Sequence, residues 1–245
     1  MPDRLYTDAR LAALYDRLYP LPQATLDFYL PLVMAARSVL DVGCGTGALL
    51  AAAREAGHSG RLCGLDPAAA MLAQARQRAD IEWICGEPAA LRPAHQFDLA
   101  VMTGHAFQVL SEDAQLRATL AAVHAALKAG GRFAFETRNP ATRPWEQWTP
   151  QRVLQADDGQ GNTVRVRWQI EVPFDGRTVS FAESYSSTAW EAPLVSHSIL
   201  RFLDADGVAR SLTEAGFVIE KQFGDFDRRP LTPESPEIVT IARAR

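Results

Sequence analysis

The sequence is poor in cysteine and lysine and has no long apolar run. Its three cysteines, Cys44, Cys63 and Cys85, are odd in number and form no CxxC pair. Its five histidines give no HxH or HExxH spacing. A disulfide framework or a zinc site is therefore not expected, and the metal complement is read as none. The two lysines, Lys128 and Lys221, never follow a tyrosine at the Tyr-x-x-x-Lys spacing of one group of nicotinamide-dependent oxidoreductases. No block of like charge occurs and the net charge is -4, so a duplex nucleic-acid partner is not expected. The first twenty residues, "MPDRLYTDARLAALYDRLYP", hold no apolar signal core, and no later stretch approaches a membrane span. These absences predict a cytoplasmic protein with no membrane partner, and they leave the oligomeric state open.

The chain is instead rich in alternating apolar and helical segments. Its 245 residues are read as one domain. Residues 1–37 are read as N-terminal helices, with "ATLDFYLPLVMAA" (24–36) amphipathic around Pro31. Strands are predicted over 38–42, 60–66, 81–87, 97–104 and 132–137, and helices over 48–56 and 67–79, the second with Pro67 in its first turn. A third helix runs from Ser111, its expected N-cap, to a stop at Gly130-Gly131. Such alternation predicts an α/β fold, a doubly wound and mostly parallel sheet. The pattern breaks at 141–200, where coil is followed by "VRVRWQIEV" and "RTVSFAESY" around Asp175-Gly176 and then by "VSHSILRFL". This predicts a small inserted antiparallel sheet, placed to act as a lid that shapes a substrate pocket. A last helix and two strands follow. Their connection, "GDFDRRPLTPESP", has no crossover helix, so a reversed edge strand is expected.

The stretch "VLDVGCGTGALL" (39–50) carries the strongest local signal. Glycines on alternate residues, Gly43, Gly45 and Gly47, fill the turn between a buried strand and a helix. Glycine tolerates positive φ and has no Cβ, so a ligand can lie directly on such a backbone. The spacing is not G-x-G-x-x-G, which argues against a dinucleotide site. Asp66 ends the next strand, where a carboxylate can hold both hydroxyls of a ribose, and Glu87 ends the third. Asp41 is read as structural, holding the amides of the turn. His58, His95 and His124 have no partner at useful spacing and read as surface or helix-face residues.

These segments, with "CGLDPAAAMLAQAR", "FDLAVMTGHAFQVL", "ALKAGGRFAFET" and the C-terminal strands, resemble the class I S-adenosylmethionine-dependent methyltransferases, a seven-stranded Rossmann-like superfamily. The resemblance covers about two thirds of the chain. It implies S-adenosyl-L-methionine as cofactor and methyl transfer as activity. It implies that the Gly43–Gly47 turn carries the methionyl part, that Asp66 holds the ribose, and that Pro67 and Met71 flank the adenine. Gly86 and Glu87 would meet the adenine edge, with Glu87 standing where the family usually has Asp. Thr103, Gly104 and the residues to Phe107 would face the methyl group, and Tyr15 would lie over the cofactor.

Such a transfer is an in-line displacement, so alignment is the main contribution, worth about 7–11 kcal/mol of barrier. A base is needed only where the acceptor must lose a proton. His105 is the best-placed histidine, either as that base or as a polar wall of the pocket. In "FETRNPATRPWEQW", Arg138 could meet an anionic group of the acceptor or pair with Glu136 and lock the loop. Trp145 and Trp148 could wall the acceptor or pack the insertion on the core. The resulting expectation is methyl transfer to an N or O atom of a small molecule. The alternatives are a catalytically silent cofactor-binding module and, behind it, a nicotinamide-dependent oxidoreductase.

Overall fold

A computed structural model of the chain describes residues 2–91 and 96–245, which leaves His95 outside the described residues. Three helices, α1 (Arg4–Thr7), α2 (Ala9–Leu18) and α3 (Gln23–Ala35), precede β1 (Ser38–Val42). Then come α4 (Ala48–Glu55), β2 (Arg61–Asp66), α5 (Ala69–Ala75), β3 (Glu82–Cys85) and β4 (Phe97–Met102). Helix α6 (Asp113–Ala126) leads into β5 (Leu127–Arg138). The inserted strands are β6 (Val153–Asp157), β7 (Thr163–Val172), β8 (Thr178–Ser187) and β9 (Leu194–Arg201). The chain closes with α7 (Ala205–Glu214), β10 (Phe217–Phe223) and β11 (Glu237–Ala244).

Seven strands form one sheet in the order β10-β11-β5-β4-β1-β2-β3. Strands β1 to β5 pair in parallel, while β11 runs antiparallel to both β5 and β10. The expected reversal is present, and the reversed strand lies one position in from the edge. Alternation sets the two faces of the sheet. Leu40, Val42, Phe133 and Phe135 turn toward Leu116, Leu120 and Val123 of α6 and Leu212 of α7. Val39, Val101, Ala134 and Val239 turn toward Phe28, Tyr29 and Val33 of α3 and Leu50 of α4. All five residues of β1 are buried, as befits a central parallel strand.

The insertion is a four-stranded antiparallel sheet in the order β6-β7-β8-β9. Its inward residues Val164, Val166, Phe181 and Leu200 form one apolar cluster with Leu5, Leu11, Leu14 and Leu18 of α1 and α2. Each such side chain, fully buried, contributes about 1.5–3 kcal/mol gross. So α1 and α2 belong to the same cap as the insertion, whereas α3 belongs to the sheet. Trp145 and Trp148 are buried in this cluster as well, against Phe174, Phe181 and Phe202. Strand β6 is not expected from the sequence, because it is only five residues long and alternates between exposed and half-buried positions.

The ends of α5 and α6 differ from expectation. The N-cap of α6 is Glu112, not Ser111, and it makes no side-chain cap bond. The helix ends at Ala126, and Gly130-Gly131 lie inside β5, where a register shift against β4 absorbs them. Helix α5 is also shorter than read, beginning at Ala69 rather than Pro67.

Candidate active site

The glycine turn after β1 has φ of +71° at Gly43, +55° at Gly45 and +78° at Gly47. These left-handed values favour glycine for conformational reasons, and at Gly47 packing forbids a side chain as well. A Cβ on Gly47 would stand 2.2 Å from the Trp83 ring, and one on Gly43 3.0 Å from Ala106 Cβ. The end of β2 fixes the turn. Gly43 and Cys44 both donate their amides to the Leu65 carbonyl, at 2.8 and 3.1 Å. Asp66 accepts the Gly45 amide at 2.8 Å with one oxygen and the Ala68 amide at 2.7 Å with the other. Burial raises its carboxyl pKa, and these two amides oppose the rise. Each carboxylate oxygen keeps a further lone pair for a ligand hydroxyl.

Around this turn the structure gathers several residues singled out from sequence. Met71 is buried and its Cε would lie 3.2 Å from a Cβ on Gly45. Tyr15 packs against Ala12, Ala68 and Met71. Its ring lies 6.0 Å from Tyr6 and 5.3 Å from Tyr19, and burial pushes its hydroxyl up to about 12. Helix α2 crosses the turn, where Thr46 Oγ1 donates to Asp16 at 2.7 Å. Gly86 donates its amide to the Asp66 carbonyl at 3.0 Å. Pro67 and Glu87 are exposed, and Glu87 lies near enough to Asp66 to raise it.

Asp41 does not hold the amides of the turn. It is 1 % exposed, and its Oδ1 has no hydrogen-bond partner. Burial, reinforced by Asp66 and Glu136, pushes its carboxyl up to about 8. A buried carboxyl oxygen without a partner is costly unless something fills the position. An amino group, such as that of a methionyl moiety, has the donor and the charge to do so. The glycine turn, Asp66 and the orphaned Asp41 therefore fit S-adenosylmethionine in the donors and acceptors they offer.

The other half of the edge is built from β4, β5 and β11. Thr103 is half-buried and Gly104 is exposed after β4, followed by His105 at φ +60°. The His105 amide donates to Glu136 Oε1 at 3.0 Å, and its Nε2 lies 3.0 Å from both carboxylate oxygens of Glu237. Glu136 is buried, and the hydroxyl of Tyr29 donates to its other oxygen. Burial raises the Glu136 carboxyl, with His105 and the Tyr29 bond opposing. Arg138 does not pair with Glu136. Its Nη1 donates to Gln108 Oε1 at 3.0 Å, and its guanidinium lies 5.6 Å from the Trp148 ring centroid. The Gln108 amide is itself fixed by donation to the Arg201 carbonyl at 2.9 Å. Desolvation lowers the Arg138 pKa, and Glu237, Tyr6, Glu136 and Tyr15 counter it.

Tyr29, Gln108 and Glu237 were not singled out from sequence. Glu237 carried a usable signal: a reversed strand beside β5 starts at the edge where the parallel strands end. His58 is not a surface residue; it is 5 % exposed and its Nε2 meets the Ala36 carbonyl at 2.8 Å. All three cysteines are free. Among the described residues no helix is long and apolar enough to cross a membrane.

Comparison with known proteins agrees with this construction. Residues 39–131 match the family model described as a methyltransferase domain. A 2-phytyl-1,4-naphtoquinone methyltransferase of Thermosynechococcus vestitus is 36% identical over 154 residues, an alignment that spans 57% of this chain and 66% of that one. The CcbJ methyltransferase from Streptomyces caelestis superimposes with a TM-score of 0.76 at 18% identity, covering 98% of both chains. An S-adenosylmethionine-bound amino pentose methyltransferase from Micromonospora echinaspora gives 0.68 at 22% identity, covering 95% of both. The fold is thus shared with S-adenosylmethionine-dependent methyltransferases, and residues 39–131 match a methyltransferase domain.

Proposed function

We propose that this protein transfers the methyl group of S-adenosylmethionine to an N–H or O–H group of a small molecule. The observation that carries the reading is a shared edge. A glycine turn with an unpartnered carboxyl and a restrained imidazole end neighbouring strands. The names of similar proteins, acting on a naphthoquinone and an amino pentose, support a small acceptor.

When bound, S-adenosylmethionine supplies a methyl carbon on a sulfonium, whose carbon–sulfur electron pair returns to sulfur as the acceptor's lone pair bonds to that carbon. The chain's own part is placement and proton handling. Asp66 holds the ribose, Asp41 the methionyl amine, and Met71, Pro67, Gly86 and Glu87 the adenine side. Tyr15 covers the cofactor and excludes water with α2. His105 receives the acceptor's proton, and Arg138 offers free guanidinium donors to an oxyanion or carboxylate on the acceptor.

Calorimetric titration with S-adenosylmethionine, S-adenosylhomocysteine, NADH and NADPH tests the cofactor. Binding of only the two sulfur nucleotides is expected, and binding of a nicotinamide alone overturns the reading. A screen of small acceptors with labelled methyl follows. Replacing His105 with Ala is then expected to leave cofactor affinity nearly intact while turnover falls by about 10²–10⁴.

A further inference from the structure

We propose that Glu237 is the positioning residue for His105, accepting the hydrogen bond of the Nε2–H so that Nδ1 is the basic nitrogen offered to the acceptor. The inference rests on the methyl-transfer reading above and adds to it which nitrogen works and what holds it there.

The geometry is specific. Glu237 opens β11, paired in register with Arg138 of β5, and so stands at the edge where β4 and β5 end. Both of its carboxylate oxygens lie 3.0 Å from His105 Nε2, across 132 residues of sequence. The two side chains are 21% and 13% exposed, sheltered enough for the contact to persist. A carboxylate accepts hydrogen bonds and donates none, so Nε2 must carry a proton. A neutral imidazole has one N–H, which leaves the lone pair on Nδ1. Among the described residues Nδ1 has no hydrogen-bond partner in the protein.

The backbone is constrained as tightly as the ring. A non-glycine residue at φ +60° costs about 1–2 kcal/mol, and such strain persists only where surrounding contacts over-determine it. Here Glu136 accepts the His105 amide and is itself fixed by the Tyr29 hydroxyl. The charged and titratable groups around His105 are thus Glu136 and Arg138 from β5, Glu237 from β11, and Tyr29 from α3 through Glu136. Glu237 also counters the desolvation of Arg138, so the same carboxylate acts on both the imidazole and the guanidinium.

Nitrogen-15 NMR of the His105 ring in the free protein and in its S-adenosylhomocysteine complex, near pH 8, reads the protonated nitrogen directly. We expect the neutral ring with its proton on Nε2 in both. In Glu237→Leu we expect both tautomers, and kcat lower by about ten- to a hundredfold with KM little changed, below the full worth of a general base. Glu237→Gln, whose amide oxygen can still accept from Nε2, should recover the single tautomer and part of kcat. A purely structural role would lower thermal stability and leave the tautomer unmoved in Glu237→Leu; that result overturns the proposal. So does an Nδ1 proton in the wild-type protein, which decides the matter even if the Leu variant fails to fold. Loss of nucleotide binding would overturn the methyl-transfer reading instead, because the tautomer is measured without the nucleotide as well.

Discussion

At the β1–β2–β3 end of the strand edge, the glycine turn is held largely by main-chain groups; at the β4–β5–β11 end, the polar groups around His105 are held by other side chains. Gly43, Cys44 and Gly45 are fixed through their amides by the end of one strand, within about twenty residues of sequence. His105, Glu136, Tyr29, Glu237, Gln108 and Arg138 fix one another across separations of 30 to 132 residues. The lesson concerns tolerance. A main-chain site fails when a side chain is added, and a side-chain site fails when one is removed.

The largest expected effect breaks the main-chain half. Gly47→Ala adds a methyl 2.2 Å from the Trp83 ring at φ +78°, and should cost about 2–4 kcal/mol of stability and abolish cofactor binding. Gly104→Ala, with open space at φ +67°, should cost only about 1–2 kcal/mol. Equal losses in denaturant melts would erase the contrast. In the side-chain half, Glu136→Ala strands the Tyr29 hydroxyl and the His105 amide. It should cost about 2–3 kcal/mol while leaving S-adenosylhomocysteine affinity within a few-fold by calorimetry.

Asp41 sharpens the contrast through pH. Its folded carboxyl is pushed up to about 8, against an unfolded value near 3.8, so the folded protein retains a proton that the unfolded chain has lost. That contribution to stability is therefore present at low pH and declines as pH rises from about 4 through 8. Glu136 and Asp66, also raised, add in the same sense. Asp41→Asn should flatten the slope in calorimetric melts. Below about pH 8, affinity for the cationic cofactor should rise by at most about tenfold per unit, with proton release visible in buffers of different ionisation heat. The smallest effect is Asp16→Ala, which removes one exposed bond to Thr46. It should cost about 0.5–1 kcal/mol, read as a small drop in melting temperature.

Legibility in the sequence followed the same divide. The strands and helices of the sheet were readable because apolar periodicity and glycine spacing are local properties, and the turn at Gly43–Gly47 follows from them. Asp66, at the end of the next strand, was readable for the same reason, whereas Tyr15 came only from the family resemblance. The pairings around His105 were not readable, because they depend on strand order rather than spacing. Arg138 was expected to choose between a ligand and its neighbour Glu136. In β5, however, Glu136 accepts from the Tyr29 hydroxyl and the His105 amide, while Arg138 donates to Gln108. Asp41 was misread because a carboxylate beside a glycine turn usually finds amides. Here the Leu65 carbonyl and Asp66 have already taken three of them.

The stitching of α1 and α2 to the inserted sheet has a consequence for the order in which the molecule comes into being. The Leu5 amide donates to Ser196, Ser198 to Asp3, and Tyr19 to Glu183, which also receives Trp168 and Tyr185. Helices α1 and α2 are synthesised 164 to 195 residues ahead of these partners. During synthesis their apolar face must wait, exposed, while the sheet that supplies the cofactor turn assembles beneath them. A segment made well before the insertion thus finds its place only after it.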